Sequence, residues 1–459
     1  MTLLPALRGA AADRADAVTV AGGALSSEAL VGCVTAVADR IRGAVAVAVD
    51  GTPTLETVVG MLGAVHAGVP LVPLPPDARE CERIRILRQS GATVFLGRNL
   101  AGAHRLPMVP VDLRQRSSAH HPEPAPGTDA VILYTGGAGG PPRGVRISRR
   151  AIAADLDLLA DAWRWSRDDV VVQGTPLFRA YGLVVGLLGA LRVGSRFVHL
   201  DRKAVGGPIG TMYLALPAQW AQIALNRPWA RSLSAARILI SADAPLAPAV
   251  AERLRLLTSH SPIQAYGTTE TLIALTRRAD DPTVAGAVGT PLPGIRTRVL
   301  DREARPVPAD GESVGELSVC GPTLFSGYVE GGQSAAGSWY ATGDLATVAA
   351  DGSHRIIGRR GLDVVRSQGR WVHTGQVEEA LLSHPGVRDA AVVGTPHHTL
   401  GEQVTAYVVA ETGATAQTLI DHVGRYLSAS HRPRRVHFVD ELPRSALGRI
   451  RKSLLVAAG

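Results

Sequence analysis

Hydrophobic positions in the first hundred residues alternate between two periods. Ala44 to Val49 (AVAVAV) is a continuous apolar run closed by Asp50-Gly51, the pattern of a strand buried on both faces of a parallel sheet. Leu55, Val58, Val59, Leu62 and Val65 then recur at helical spacing. Val69 to Leu74 (VPLVPL) predicts a second strand, Asp77 to Gln89 a charged helix, and Ala92 to Gly97 (ATVFLG) a third strand. This β-α-β-α-β rhythm predicts a doubly wound α/β layer. Residues 116–129 read as a polar, Pro-rich connection before a strand over Ala130 to Tyr134. Beyond residue 280, short strand-like runs (RTRVL, ELSV, RIIG) replace helices. From roughly 361 the pattern is again strand, helix, strand: HPGVRDAAVVG, QVTAYVVA, a helix over Ala416 to Leu427, then VHFVDELP.

Composition bounds the class. With 459 residues, 46% hydrophobic and 19% charged, the chain is long enough for two to four domains and is not a disordered one. Its 46 arginines against two lysines, Lys203 and Lys452, are dispersed, so they read as coding bias and not as a nucleic-acid footprint. Cys33, Cys81 and Cys320 are too widely spaced for a disulfide framework or a metal-ligand set. The N-terminal stretch lacks a sustained apolar run, which reads as no signal peptide, and Gly182 to Ala190 is too short to span a bilayer. A soluble, cytoplasmic protein without a membrane span is expected. The net charge of +8 favours acidic small molecules only modestly.

Residues 131–148 (VILYTGGAGGPPRGVRIS) follow an apolar strand with a glycine-rich loop. Thr135 stands at its entry, Gly136, Gly137, Gly139 and Gly140 within it, and Arg143 near its exit. Glycines let successive backbone N–H groups converge on an anion, and a nearby cation neutralises it. The lysine-bearing P-loop pattern is absent, and a glycine cluster alone is also consistent with a flexible turn. Downstream lie SADAPL (241–246), AYGTTET (265–271), GELSVCGPTLFSGY (315–328), YATGDL (340–345), GRRGLD (358–363) and LPRSALGRIRK (442–452).

In this order and with these gaps, the runs resemble the adenylate-forming superfamily of acyl- and aryl-CoA synthetases, peptide-synthetase adenylation domains and luciferases. The segment 148–178 looks most like actinobacterial fatty-acyl and malonyl-CoA ligases. The resemblance implies a large N-terminal AMP-binding domain of doubly wound sheets with a β-rich subdomain (1–360). A small, mobile α+β lid would follow (361–459). It implies that a carboxylic acid and Mg-ATP give an acyl adenylate, which is passed to coenzyme A.

By the same resemblance, Tyr266 lies against adenine, Ala265, Gly267 and Thr268 belong to the cofactor-binding run, Thr269 bonds the α-phosphate, and Glu270 helps hold Mg²⁺, an ion that takes oxygen ligands. Without the resemblance, this run reads as a turn into a Thr-capped helix. Asp344 would hold the ribose with Arg359 assisting, Asp243 and Ala244 would lie at the adenine edge, and Asp363 would be the hinge of the lid. Phe178, Arg179 and Tyr181 would face the acyl group, and Gly369 the pantetheine of coenzyme A.

Several motifs depart from the family pattern. The loop has Gly136, Ala138 and Gly139 where relatives carry hydroxyls, and Arg143 where they carry lysine. Arg449, beside Gly448, replaces the lysine that bridges substrate carboxylate and α-phosphate. Arginine keeps the charge but is planar and forked, and losing one well-placed charge costs on the order of 10²–10³ in rate. Arg366-Ser367-Gln368-Gly369 replaces a Lys-Ser-Gly-Gly run. Three readings remain open at this level: an acyl-CoA ligase, an adenylating enzyme serving another acceptor such as an acyl carrier protein, or an impaired enzyme retaining nucleotide binding.

Overall fold

The structure is a computed structural model. It describes residues 2–9, 13–97, 106–135, 142–200, 210–284, 286–331, 338–367, 370–397, 401–411, 413–444 and 450–456. The apolar runs at the start of the chain form the centre of a seven-stranded sheet. Val47–Asp50 pairs in parallel with Leu71–Leu74 on one side and Val94–Leu96 on the other. Leu55–Ala67 is the predicted helix; the Thr54 hydroxyl accepts from the Thr57 N–H at its start, and Gly68 at φ 75° ends it. The expected strand over Ala44 to Val49 begins only at Val47, because Val45 faces solvent. The charged helix runs Glu80–Ser90, starting after Arg79 in extended backbone. Asp129–Thr135 and Arg143–Ser148 extend this sheet as an antiparallel hairpin.

A nine-stranded sheet follows, with Val170–Gln173, Met212–Ala215, Ile238–Ser241 and Ile263–Thr268 in parallel at its centre. Its far edge is Val18–Val20 and Gly23–Leu25, paired with Arg196–His199 and with each other. Both sheets share one core that includes Val47, Val131, Val171 and Ile240. The apolar run beginning at Gly182 winds as a π-helix over Tyr181–Leu188. Gly182 permits this packing, since a Cβ there would lie 2.2 Å from the Pro176 carbonyl oxygen.

The short runs after residue 280 form a four-stranded antiparallel sheet of Arg296–Leu300, Gly315–Cys320, Tyr340–Val348 and His354–Arg359. The C-terminal domain is smaller and has its own core of Val365, Val372, Val377, Leu381, Val392, Val408 and Val423. In it, Val387–His397, Gly401–Ala410 and Arg435–Phe438 make a three-stranded sheet covered by the helices Thr374–Leu382 and Ala416–Tyr426. The expected last helix ends at Tyr426 because Leu427 is already extended. Among the described residues, no helix is long and apolar enough to cross a membrane.

Candidate active site

The glycine-rich loop caps the hairpin of the first sheet. Thr135 and Arg143 are its last paired residues, and the Thr135 hydroxyl lies 3.5 Å from the Arg143 carbonyl. Gly136, Gly137, Ala138, Gly139 and Gly140 lie outside the described residues. The Arg143 guanidinium sits 3.4 Å from the centroid of the Tyr328 ring, a cation–π contact. Tyr328 comes from a two-residue edge strand, Gly327–Tyr328, that pairs antiparallel with Arg146 and Val145. Its hydroxyl donates to Glu270 Oε1 at 3.1 Å and lies 3.4 Å from the Tyr340 hydroxyl. Phe325 meets both tyrosine rings edge-on and donates its backbone N–H to the Glu270 carbonyl. Burial raises both tyrosines above their ordinary range, with Glu270's charge adding to the rise. Tyr328 is therefore a neutral donor to the carboxylate. Tyr328 and Tyr340 were not singled out from sequence; the available signal was an aromatic inside each of two quoted runs in a chain poor in aromatics.

Residues 268–272 form a tight turn between antiparallel strands, Ile263–Thr268 and Leu272–Thr276, and not the start of a helix. The Thr271 hydroxyl accepts from the Thr268 N–H at 2.9 Å, and the Thr268 hydroxyl accepts from the Glu270 N–H at 3.2 Å. Gly267 is required here, since a Cβ would lie 1.7 Å from the Leu272 carbonyl oxygen. The turn presents Thr269 and Glu270 half-buried, beside the Arg143–Tyr328 contact.

Tyr266, Asp344 and Arg359 meet. The Tyr266 hydroxyl donates to Asp344 Oδ2 at 2.8 Å, and Arg359 Nε donates to Oδ1 at 3.2 Å. The contact follows from register, since Asp344 and Arg359 are direct partners across adjacent strands. Burial first, then the Asp344 charge, pushes the Tyr266 hydroxyl well above its ordinary range. Burial would lower the Arg359 guanidinium, but the Asp344 charge outweighs it and leaves it raised.

The residues expected at the acyl side are engaged with the protein. Arg179 and Asp243 form an ion pair at 2.8 Å, each side chain about one-third exposed (30% and 31%). Asp243 holds φ 75°, a left-handed conformation that costs an aspartate roughly 1 kcal/mol. Neither group faces solvent alone. Tyr181 is buried, and its hydroxyl donates to the Ile240 carbonyl at 3.3 Å, so it braces the end of a central strand. Phe178 is half-buried against Gly51, while Ala244 is half-buried and Ala265 buried in a strand.

At the C-terminal domain, Asp363 Oδ2 accepts from the Arg359 N–H at 3.1 Å. Lys452 lies on the other side of that carboxylate, 3.8 Å from Oδ1. Gln368, Gly369, Gly448 and Arg449 lie outside the described residues, although a bridge between Arg444 and Ile450 brackets the segment carrying Arg449. Arg366 reaches toward the Trp371 ring. Among the described residues, no group of three or more metal-ligating side chains occurs. Glu270 as a single oxygen ligand suits an ion such as Mg²⁺, whose remaining positions are filled by water and substrate phosphates.

Residues 35–329 match the AMP-binding enzyme family, and residues 376–449 match the AMP-binding enzyme C-terminal domain. Among curated relatives, the mitochondrial malonate–CoA ligase of Mus musculus is 30% identical over 71% of this chain. That alignment spans 64% of the length of the mouse enzyme. A malonyl-CoA ligase solved as a ternary product complex with methylmalonyl-CoA and AMP is 38% identical, with a TM-score of 0.73 over 96% of this chain and 100% of that one. ATP-bound MatB from Rhodopseudomonas palustris is 26% identical, with a TM-score of 0.83 over 100% and 99%. The better superposition is thus on the ATP-bound structure, despite its lower identity.

Proposed function

We propose, from the premise that this chain belongs to the AMP-binding enzymes, that it is an ATP-dependent acid–CoA ligase. It would activate a carboxylic acid as its acyl adenylate and transfer it to coenzyme A in the cytoplasm. The observation that carries this reading is the convergence on Tyr328. The ring of Tyr328 carries Arg143, from the mouth of the glycine-rich loop, and its hydroxyl holds Glu270, from the Thr-Thr-Glu turn. A cation at the loop and an oxygen ligand beside it are what a metal-bound polyphosphate requires.

In this reading Glu270 would hold Mg²⁺, which would supply charge neutralisation at the phosphates. Thr269 donates to the α-phosphate, and Arg143 leaves the Tyr328 face for the β- and γ-phosphates. Asp344, fixed by Tyr266 and Arg359, takes the ribose hydroxyls, and Asp243 with Ala244 borders the adenine. Arg449 supplies the charge between acyl carboxylate and α-phosphate. The N-terminal part through residue 360 binds the nucleotide, and residues 361–459 move as a lid about Asp363.

The test is pyrophosphate release with a panel of carboxylic acids, with and without coenzyme A, on wild type and Arg449→Lys. Coenzyme A-dependent turnover supports the ligase. Adenylate trapped by hydroxylamine, with turnover indifferent to coenzyme A, shifts the acceptor to another thiol, such as an acyl carrier protein. Absence of both turnover and ATP binding overturns the reading.

A further inference from the structure

Lys452 is one of two lysines in a chain of 46 arginines, and its ammonium is enclosed. Its side chain is 16% exposed, and Nζ donates to Glu378 Oε1 at 2.8 Å, the Thr374 hydroxyl at 2.8 Å and the Leu362 carbonyl at 3.2 Å. Three tetrahedral N–H donors therefore meet three acceptors. A planar guanidinium, with its donors fixed in one fork, cannot reproduce that arrangement. The fourth neighbour is Asp363, whose other carboxylate oxygen accepts the Arg359 N–H.

Two of these acceptors, Glu378 and Thr374, are fixed from elsewhere. Glu378 also accepts the Val392 N–H at 2.8 Å, which ties it to the C-terminal sheet. Thr374 donates its backbone N–H to the Asp363 carbonyl at 3.0 Å, and its hydroxyl lies 3.2 Å from the same oxygen. Arg359 reaches back to Asp344. One run of contacts therefore leads from Tyr266 through Asp344, Arg359 and Asp363 to Lys452 and Glu378.

We propose that Lys452 is a positioning residue that latches the turn at Asp363 and so holds the C-terminal domain in the arrangement that forms the adenylate. This rests on the ligase reading for the half-reaction it serves, and on geometry alone for the latch. The arrangement present superposes better on an ATP-bound relative than on a coenzyme A product complex. Releasing the latch therefore slows adenylation and leaves thioester formation from preformed adenylate unimpaired. Lys452 is engaged with Leu362, Thr374 and Glu378 and acts through the turn, a role separate from the one proposed for Arg449.

The test uses the full chain with Lys452→Met, Lys452→Arg and Asp363→Asn. Adenylation is read by hydroxylamine trapping, the second step by coenzyme A addition to preformed adenylate, and the latch by trypsin cleavage after Arg359 or Arg360. Lys452→Met should lower the adenylation rate on the order of 10-fold, as for a misplaced positioning contact, with the second step within about twofold. Cleavage at the turn should be several-fold faster. Lys452→Arg should remain impaired, and Asp363→Asn should change both readouts in the same direction from a partly exposed position where folding is not at stake. A parallel fall in both half-reactions, unchanged cleavage, or full rescue by arginine overturns the latch. If wild type adenylates no acid while Lys452→Met still accelerates cleavage, the ligase reading fails and the latch stands.

Discussion

Asp155 and Ile273 come from a helix of the first half of the chain and a strand of the second, and they meet at 3.0 Å. The Ile273 N–H donates to Asp155 Oδ1, just after the turn that presents Thr269 and Glu270. Asp155 is fully buried, and its second oxygen has no hydrogen-bond partner among the described residues.

Burial pushes the Asp155 carboxyl well above its ordinary value, only partly offset by the Ile273 N–H. A raised folded value gives stability that is complete below the unfolded value and is lost as pH rises through the folded one. Asp155→Asn removes that dependence and keeps the shape. Urea unfolding should show a gain near zero at pH 4 that grows as pH rises toward 8. A gain that does not vary with pH would contradict a raised Asp155.

His66 acts with the opposite sign. Burial first, then the charge of Arg8, lowers its imidazole from 6.5 to about 4. Its ring lies 5.3 Å from that of His121, which is paired with Asp39. A lowered imidazole gives stability present above the unfolded value and lost as pH falls from 6.5 toward 4. His66→Gln should flatten that acid-side loss, worth about 2 kcal/mol, in thermal unfolding between pH 7 and 4. An identical acid limb in the variant would place the loss elsewhere.

Local pattern foretold elements whose causes are local. The spacing of Leu55 to Val65 marks the helix Leu55–Ala67 because one apolar face and a threonine cap suffice. Nothing local announces that Val18–Val20 pairs with Phe197–His199, because that pairing depends on where a distant strand lies. The site divides in the same way. Asp344 and Arg359 were each legible in motifs, and strand register brings them together. Tyr328 was not legible, because its role arises when a two-residue strand returns to pair with Val145 and sets its ring over the loop exit. Arg179 and Asp243 were both singled out, but their mutual pairing was not. It requires two loops from separate elements to close on one another.

Tyr266→Phe tests the carboxylate cradle. It deletes one hydrogen bond to a buried, charged Asp344 and leaves Arg359 as the remaining anchor. Such bonds are worth about 1.5–3 kcal/mol. The melting temperature should fall, and, if Asp344 holds the ribose as proposed, KM for ATP should rise more than kcat falls, because that contact serves ground and transition states alike. A selective fall in kcat would instead place Tyr266 at the reacting phosphate.

The Arg179–Asp243 pair predicts the acid that is accepted. In the proposed reading Arg179 faces the acyl group, and with its charge neutralised by Asp243 it would give little attraction to a second carboxylate on the substrate. A monocarboxylate such as propionate should therefore be used in preference to malonate, although the mouse relative is a malonate–CoA ligase. Asp243→Gly frees the guanidinium and also relieves the left-handed backbone at φ 75°. The stability change should be small, since roughly 1 kcal/mol of relieved strain offsets a half-exposed ion pair worth about 0–1 kcal/mol. Selectivity should move much more: kcat/KM for malonate relative to propionate should rise by about tenfold, the equivalent of one charge-assisted hydrogen bond at about 1.4 kcal/mol. Arg179→Ala in the same background should erase that rise. An unchanged ratio in Asp243→Gly would show that Arg179 faces the nucleotide and not the acyl group.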